Sequence, residues 1–182
     1  MECLYERLSD MLKILVLDLE TTGLEPVTNK ILEIGWLKVI MERSSLSVVY
    51  TGSSVIYYDL SQIEPIMNES VKKMHTSSGL LDDIKSSNLS LSSAEDILVG
   101  HTACKGWILT GNSIAFDRSF IKIHMPQLEK NLHYRMIDTS NYALLKKELG
   151  IPVNGMKLSA HRAMNDCLNS LSLLQMTISE LE

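Results

Sequence analysis

The sequence predicts an α/β fold: a mixed sheet, with an antiparallel three-strand meander plus parallel strands, flanked by helices. Three observations predict it. Lys13 to Glu20 is a nearly continuous apolar run, the mark of a strand buried on both faces. Two more strand-like stretches follow at once over short links, Lys30 to Met41 and Ser47 to Tyr50. Beyond them the texture changes to alternating helix-like and strand-like segments, which need crossovers and therefore parallel pairing.

Each element has its own signal. Thr21-Thr22-Gly23-Leu24-Glu25-Pro26 is turn chemistry, with a glycine for positive φ and a proline that breaks pairing. Pro65 to Met74 and Ser92 to Cys104 carry helix-like spacing, and Leu80 to Leu91 reads as a polar connector between them. Trp107 to Thr110 is a short strand ended by Gly111-Asn112. Asp117 to Ile123 and Pro126 to Leu132 read as helices, the latter with proline at its start. Tyr134 to Ile137 is a brief strand, and Thr139 to Leu149 a helix stopped by Gly150 and Pro152. In the last helix Met164, Cys167, Leu168, Leu171, Leu174, Ile178 and Leu181 recur every three or four residues as one core-facing stripe.

At 182 residues the chain fits one domain, residues 1–182, with 1–12 as a short extension. No run of about 18 apolar residues suggests a membrane span. The acids among the first residues argue against a secretory signal, and little room precedes the first strand for an organelle-targeting peptide. Cys3, Cys104 and Cys167 are odd in number and far apart, so they read as reduced thiols of a cytoplasmic protein, with a mitochondrial compartment left open. The formal net charge is −5. A protein gripping a long phosphate backbone usually carries a basic stripe. Nucleic acid, if handled here, should be held through metal ions and a small pocket. Trp36, Trp107, Phe116 and Phe120 read as core, Lys146-Lys147 as a solvated helix face, and the methionines as gap fillers.

The chemistry concentrates in acids. Asp18 and Glu20 lie two apart on a strand, so both point to one side of the sheet. Two same-side acids in an apolar strand cost several kcal/mol unless something positive joins them. No lysine or arginine adjoins them before Lys30, and a hard divalent ion such as Mg²⁺ or Mn²⁺ is the economical partner. For an isolated D-x-E, solvent exposure at a strand end would be the better reading. Asp117, just after a strand and at the start of a helix, could by itself merely cap that helix. Asp166 lies one residue before Cys167 and so borders the buried face. Five helical residues turn the chain through about 500°. His161 can therefore meet Asp166 only from in or just before the first turn, with Ser159 as a plausible cap. Together these residues suit hydrolytic phosphoryl transfer, in which two metals about 4 Å apart clamp the attacking water and leaving oxygen. A histidine, with a reference pKa of about 6.5, removes the proton.

Leu17-Asp18-Leu19-Glu20-Thr21-Thr22-Gly23-Leu24, Asn112 to Phe120, and His161 to Asp166 resemble the three exonuclease motifs of the DEDDh family, which has the ribonuclease H-like fold. Gly111-Asn112-Ser113, Met125 to Glu129, His133 to Ser140, the Asp59-Leu60 region and His75 to Leu80 narrow the likeness to the oligoribonucleases. The resemblance implies a 3′→5′ exoribonuclease that cuts short oligoribonucleotides, from dinucleotides to about pentanucleotides, to 5′-mononucleotides. It implies two Mg²⁺ or Mn²⁺ ions on Asp18, Glu20, Asp117 and Asp166, and His161 as general base. It implies that Ser113, Arg135 and Ser140 cap a 5′ phosphate and that Tyr134 reaches it across a homodimer. Leu24 matches a wedge between bases, and His75 a substrate contact. A guanidinium fork such as that of Arg135 suits a terminal phosphate, while His133-Tyr134-Arg135 taken alone reads equally as an amphipathic edge strand.

Two positions depart from the pattern. Thr21 stands where the family usually has methionine, and Ser70 where it places a tryptophan that packs on a base. Base–aromatic stacking is worth roughly 1–3 kcal/mol, so its loss costs about one to two powers of ten in affinity and should relax dinucleotide selectivity. A proofreading or trimming exonuclease on longer DNA or RNA is the nearer alternative. An inactive nucleotide-binding or dimerisation module is the alternative of another class.

Overall fold

The computed structural model describes residues 11–155, 158 and 161–181. Cys3 and Ser159 lie outside them. Five strands form one sheet in the order β3-β2-β1-β4-β5: β1 (Leu12–Thr21), β2 (Ile31–Glu42), β3 (Ser45–Val55), β4 (Trp107–Gly111) and β5 (Leu132–Asp138). The first three pair antiparallel as the expected meander, and β1–β4 and β4–β5 pair parallel. Around them lie α1 (Leu60–Ile63), α2 (Glu69–Ser77), α3 (Leu80–Ser86), α4 (Leu91–His101), α5 (Ala115–His124), α6 (Pro126–Glu129), α7 (Thr139–Glu148) and α8 (Ala163–Glu180).

Alternation along β1 feeds two cores. Leu15, Leu17 and Leu19 pack with α4 and α5 residues such as Leu98 and Phe120. Ile14 and Val16 pack on the other face against Cys167, Leu171 and Leu174 of α8. Because side chains alternate, Asp18 and Glu20 continue the α8-facing row. That row makes β1 central to the site: its middle is dry on both faces, and its last turns of pleat carry the acids.

Several elements differ from the sequence reading. The helix expected from Pro65 begins only at Glu69, because Pro65 sits in a 3₁₀ turn and the Asn68 side chain caps the Val71 N–H at 2.9 Å. The expected polar connector contains α3, whose Leu80, Leu81 and Ile84 fill a third cluster with Leu32, Ile63 and Met67. A short helix needs only one apolar corner, which the polar residues around it concealed. β3 extends well past Ser47–Tyr50, since an edge strand with one solvent face tolerates serine and glycine. The helix expected over Pro126 to Leu132 ends at Glu129. Lys146 is buried against an ion pair with Glu180 and is not a solvated face. Leu181 falls off the stripe and is exposed.

Trp36, Trp107 and Phe120 are core residues as read, while Phe116 is only partly buried. Cys104 is exposed and Cys167 buried, both as free thiols. No helix among the described residues is long and apolar enough to cross a membrane.

Candidate active site

β1 outruns its parallel neighbour. Its pairing with β4 covers only Ile14–Val16, whereas pairing with β2 continues to Thr21. A gap therefore opens beside the end of β1 where the parallel strands part, the usual place for a site in such sheets. It leaves the Leu19 N–H without a strand partner on that side. Asp117, in the first turn of α5, fills the role: its Oδ1 accepts the Leu19 N–H at 2.9 Å. Asp117 is not the cap of its helix; Ile114 holds that place without a side-chain bond.

On the α8 side, one carboxylate oxygen each from Asp18, Glu20 and Asp166 lie within 4.8 Å of one another. Asp166 reaches them from the first turn of α8, and its Oδ2 accepts the His161 N–H at 3.0 Å. His161 thus stands just ahead of the helix, as the spacing required, with a positive φ of 74° and an exposed ring at the cleft rim. Glycine is the usual tenant of that φ, so the position is held by its surroundings.

Burial and mutual repulsion govern the charge state of these acids. Burial, then the neighbouring Asp117, Asp166 and Glu20, push Asp18 up to about 9. Burial, then Asp166 and Glu33, push Glu20 up to about 8. Burial also raises Asp117 to about 7, opposed by the Leu19 N–H. Such a cluster keeps protons unless cations replace them. Clustered hard oxygens with no basic side chain among them fit a divalent ion, so the chemistry of the donor set agrees with divalent metal use. The cleft has a volume of about 810 Å³ and also involves Asn112, Phe116, Lys147 and Asn169.

Other expected site residues divide into two groups. Asp138 gathers two of them, since its Oδ1 accepts the Ser113 N–H at 3.0 Å, the Ser140 N–H at 3.0 Å and the Ser140 Oγ–H at 2.6 Å. Tyr134 and Arg135 lie exposed on the edge strand β5, with the Arg135 guanidinium 5.2 Å from the Tyr134 ring centre. Leu24 projects from the turn after β1 and is 76% exposed. His75 offers no surface to a solute. It is fully buried, its Nε2 bonds the Thr21 carbonyl at 2.9 Å, and its Nδ1 lies 3.8 Å from Glu20 Oε2. The expected substrate contact is in this structure a support behind Glu20, because α2 packs it beneath the end of β1.

Sequence reasoning missed Asp138 and Gly35. The first was legible as an acid before Thr139-Ser140, an N-cap pattern. The second was not: a Cβ at Gly35 would lie 2.5 Å from the Ala163 carbonyl carbon, a close approach visible only in three dimensions.

Comparison with known proteins agrees with this geometry. The RNase_T exonuclease family model matches residues 15–174. An oligoribonuclease of Corynebacterium diphtheriae is 37% identical over 170 residues, covering 85% of this chain and 76% of the relative. One of Rhodococcus jostii is 35% identical over 174 residues, covering 90% and 84%. One of Francisella tularensis is 31% identical over 169 residues, covering 91% and 93%.

Proposed function

Because this chain belongs to the oligoribonucleases of the DEDDh exonuclease family, we propose that it removes 5′-mononucleotides from the 3′ ends of very short RNA, with two divalent cations and a histidine base. The observation that carries this is the convergence of Asp18, Glu20 and Asp166 oxygens within 4.8 Å. Asp117, held against the same strand end from the first turn of α5, would complete the ligand set. Bound Mg²⁺ or Mn²⁺ would supply charge neutralisation at the phosphodiester and acidify a water.

The chain's own residues do the rest. His161 at the rim takes the proton of the attacking water, and Asp166 holds its backbone through the His161 N–H. Asp138 presents Ser113 and Ser140 side by side, and with Arg135 they receive the 5′ phosphate. Leu24 parts the bases, and His75 steadies Glu20 from behind. A short substrate fits an 810 Å³ cleft on a chain of net charge −5 better than a long backbone does.

The partner we propose is a second copy of the chain. β5 is a sheet edge with Tyr134 and Met136 exposed, and α7, which follows it directly in the chain, exposes Leu144 and Leu145, with Leu149 just beyond. An open edge and an adjoining apolar surface ask for cover. In a homodimer Tyr134 would reach the other subunit's phosphate end.

Ser70 favours one second reading, activity on longer strands. It borders a separate cleft of about 510 Å³ and has no aromatic ring to hold a terminal base. The test is to offer a 5′-labelled dinucleotide and a twenty-mer side by side in Mn²⁺. Faster turnover of the dinucleotide, abolished by chelator, is expected; equal or better turnover of the twenty-mer overturns the short-substrate reading.

A further inference from the structure

One buried acid beside the cluster has no part in the chemistry described so far. Glu33 lies on β2 directly opposite Glu20, on the same sheet face, and is almost fully buried. Like charges in that relation repel. Glu33 nevertheless does not join the three acids that converge, because its oxygens are spent elsewhere. The Arg162 guanidinium grips both of them, Nε at 3.1 and 3.3 Å and Nη2 at 3.0 Å, and the Ala163 N–H donates to Oε2 at 3.1 Å.

Arg162 is also the residue between His161 and α8. The same side chain reaches the Ser78 carbonyl at 3.4 Å and Asp83 at 2.8 Å, tying the α2–α3 turn and α3 to this point. α8 begins without a side-chain cap of its own, so Glu33 supplies the acceptor for its first N–H. Gly35, one pleat along β2 and paired with Asp18, leaves the space in which the Ala163 backbone lies against the sheet. The fork and the helix start therefore fix the chain immediately after a histidine held at a positive φ.

We propose that Glu33 and Arg162 are positioning residues: a latch that sets His161 and Asp166 against the Asp18–Glu20 edge. The activity readout rests on the exonuclease reading; the latch itself does not. Misplacing a reacting group by about 1 Å can cost on the order of 100-fold in rate.

Arg162→Met and Glu33→Gln should each lower kcat per folded molecule about 10- to 100-fold while KM for a dinucleotide stays within about threefold. Arg162→Lys, which keeps the charge without the fork, should recover part of the loss. The double variant should be no worse than the poorer single one, since both break one unit. Independently of activity, hydrogen exchange at the Ala163 amide should quicken at least about tenfold in Arg162→Met, with the Leu17 amide unchanged. Unchanged kcat per folded molecule in both variants, or unchanged Ala163 exchange, overturns the latch. A wild-type chain that releases no nucleotide overturns the functional reading instead, and the exchange result still decides the latch.

Discussion

At the end of β1, the carboxylates of half-buried Asp18, buried Glu20 and half-buried Asp166 crowd within 4.8 Å, whereas on β5 the side chains of Tyr134 and Arg135 stand in solvent. The first region is finished by this chain alone. β1 and β2 with helices α2, α5 and α8 hold it, and α8 is pinned by Glu33 and Arg162. The second has Ser113 and Ser140 held by Asp138, but its cation and its aromatic ring lie on the surface, packed on each other and on His133. On the function proposed above, the contrast separates the parts of the reaction. Bond breaking needs charges fixed before the substrate arrives. Gripping a substrate's far end tolerates groups that order on binding or on meeting a second subunit.

The largest way to break that contrast is at the acids. Asp18→Ala, Asp117→Ala or Asp166→Ala should reduce kcat by at least about 10³-fold, since an interaction needed in the transition state is lost. Dinucleotide affinity measured by titration should change only a few-fold. A variant that loses affinity and keeps its rate would show that the buried end binds and does not catalyse.

The β5 end should behave in the opposite sense. Arg135→Ala should raise KM for a 5′-phosphorylated dinucleotide about 10- to 100-fold, in line with loss of a charge-assisted bond of roughly 1.5–3 kcal/mol. A substrate without the 5′ phosphate should be nearly indifferent to the change. Tyr134→Ala should give a smaller rise, and sizing in solution should show a dimer. A monomer with full dinucleotide activity would mean that β5 completes itself.

The acids also tie stability to pH. Asp18, Glu20 and Asp117 have native values pushed up to about 9, 8 and 7, above those of an unfolded chain. The folded state thus binds protons more tightly, is favoured at low pH, and loses that advantage as pH rises from about 4 through about 9. Without cations, Tm should fall across that window by several degrees; Mg²⁺ or Mn²⁺ should restore it most at the alkaline end. A shallower profile in Asp18→Ala, with the loss greatest at the alkaline end, would assign the slope to this cluster. Variants on β5 should leave the slope unchanged.

How far the sequence could be read follows the same division. Asp18 and Glu20 were legible because strand alternation is strictly twofold, and the meander because its apolar runs are long. Helical angles required His161 to stand in or just before the first turn if it was to meet Asp166, and it stands two residues ahead of α8. What escaped depends on which element lies against which. Glu33 reads as one more polar residue in a strand until Glu20 is found opposite and Arg162 above it. His75, matched to a substrate contact, is found fully buried once α2 is packed against β1. The short helix α3 carries too few residues for a period to declare itself.

The smallest expected effect is a gain, and it tests whether the missing aromatic is what loosens the substrate end. Ser70 is the second residue of α2, exposed, and shares its cleft with Lys73, Ser77, Ser78, His161 and Arg162. The helix start does not depend on it, because Asn68 makes the cap. Ser70→Trp should therefore fold, and its ring should offer a base a face beside the catalytic rim. Stacking of roughly 1–3 kcal/mol, less the cost of ordering a large side chain, leaves about a tenfold fall in KM for a dinucleotide. A twenty-mer should gain less, since its ends have other contacts to trade, so the ratio of kcat/KM for dinucleotide over twenty-mer should rise by a similar factor. No change in that ratio would place the terminal base away from α2, and selectivity would then rest on Leu24 and the phosphate end alone.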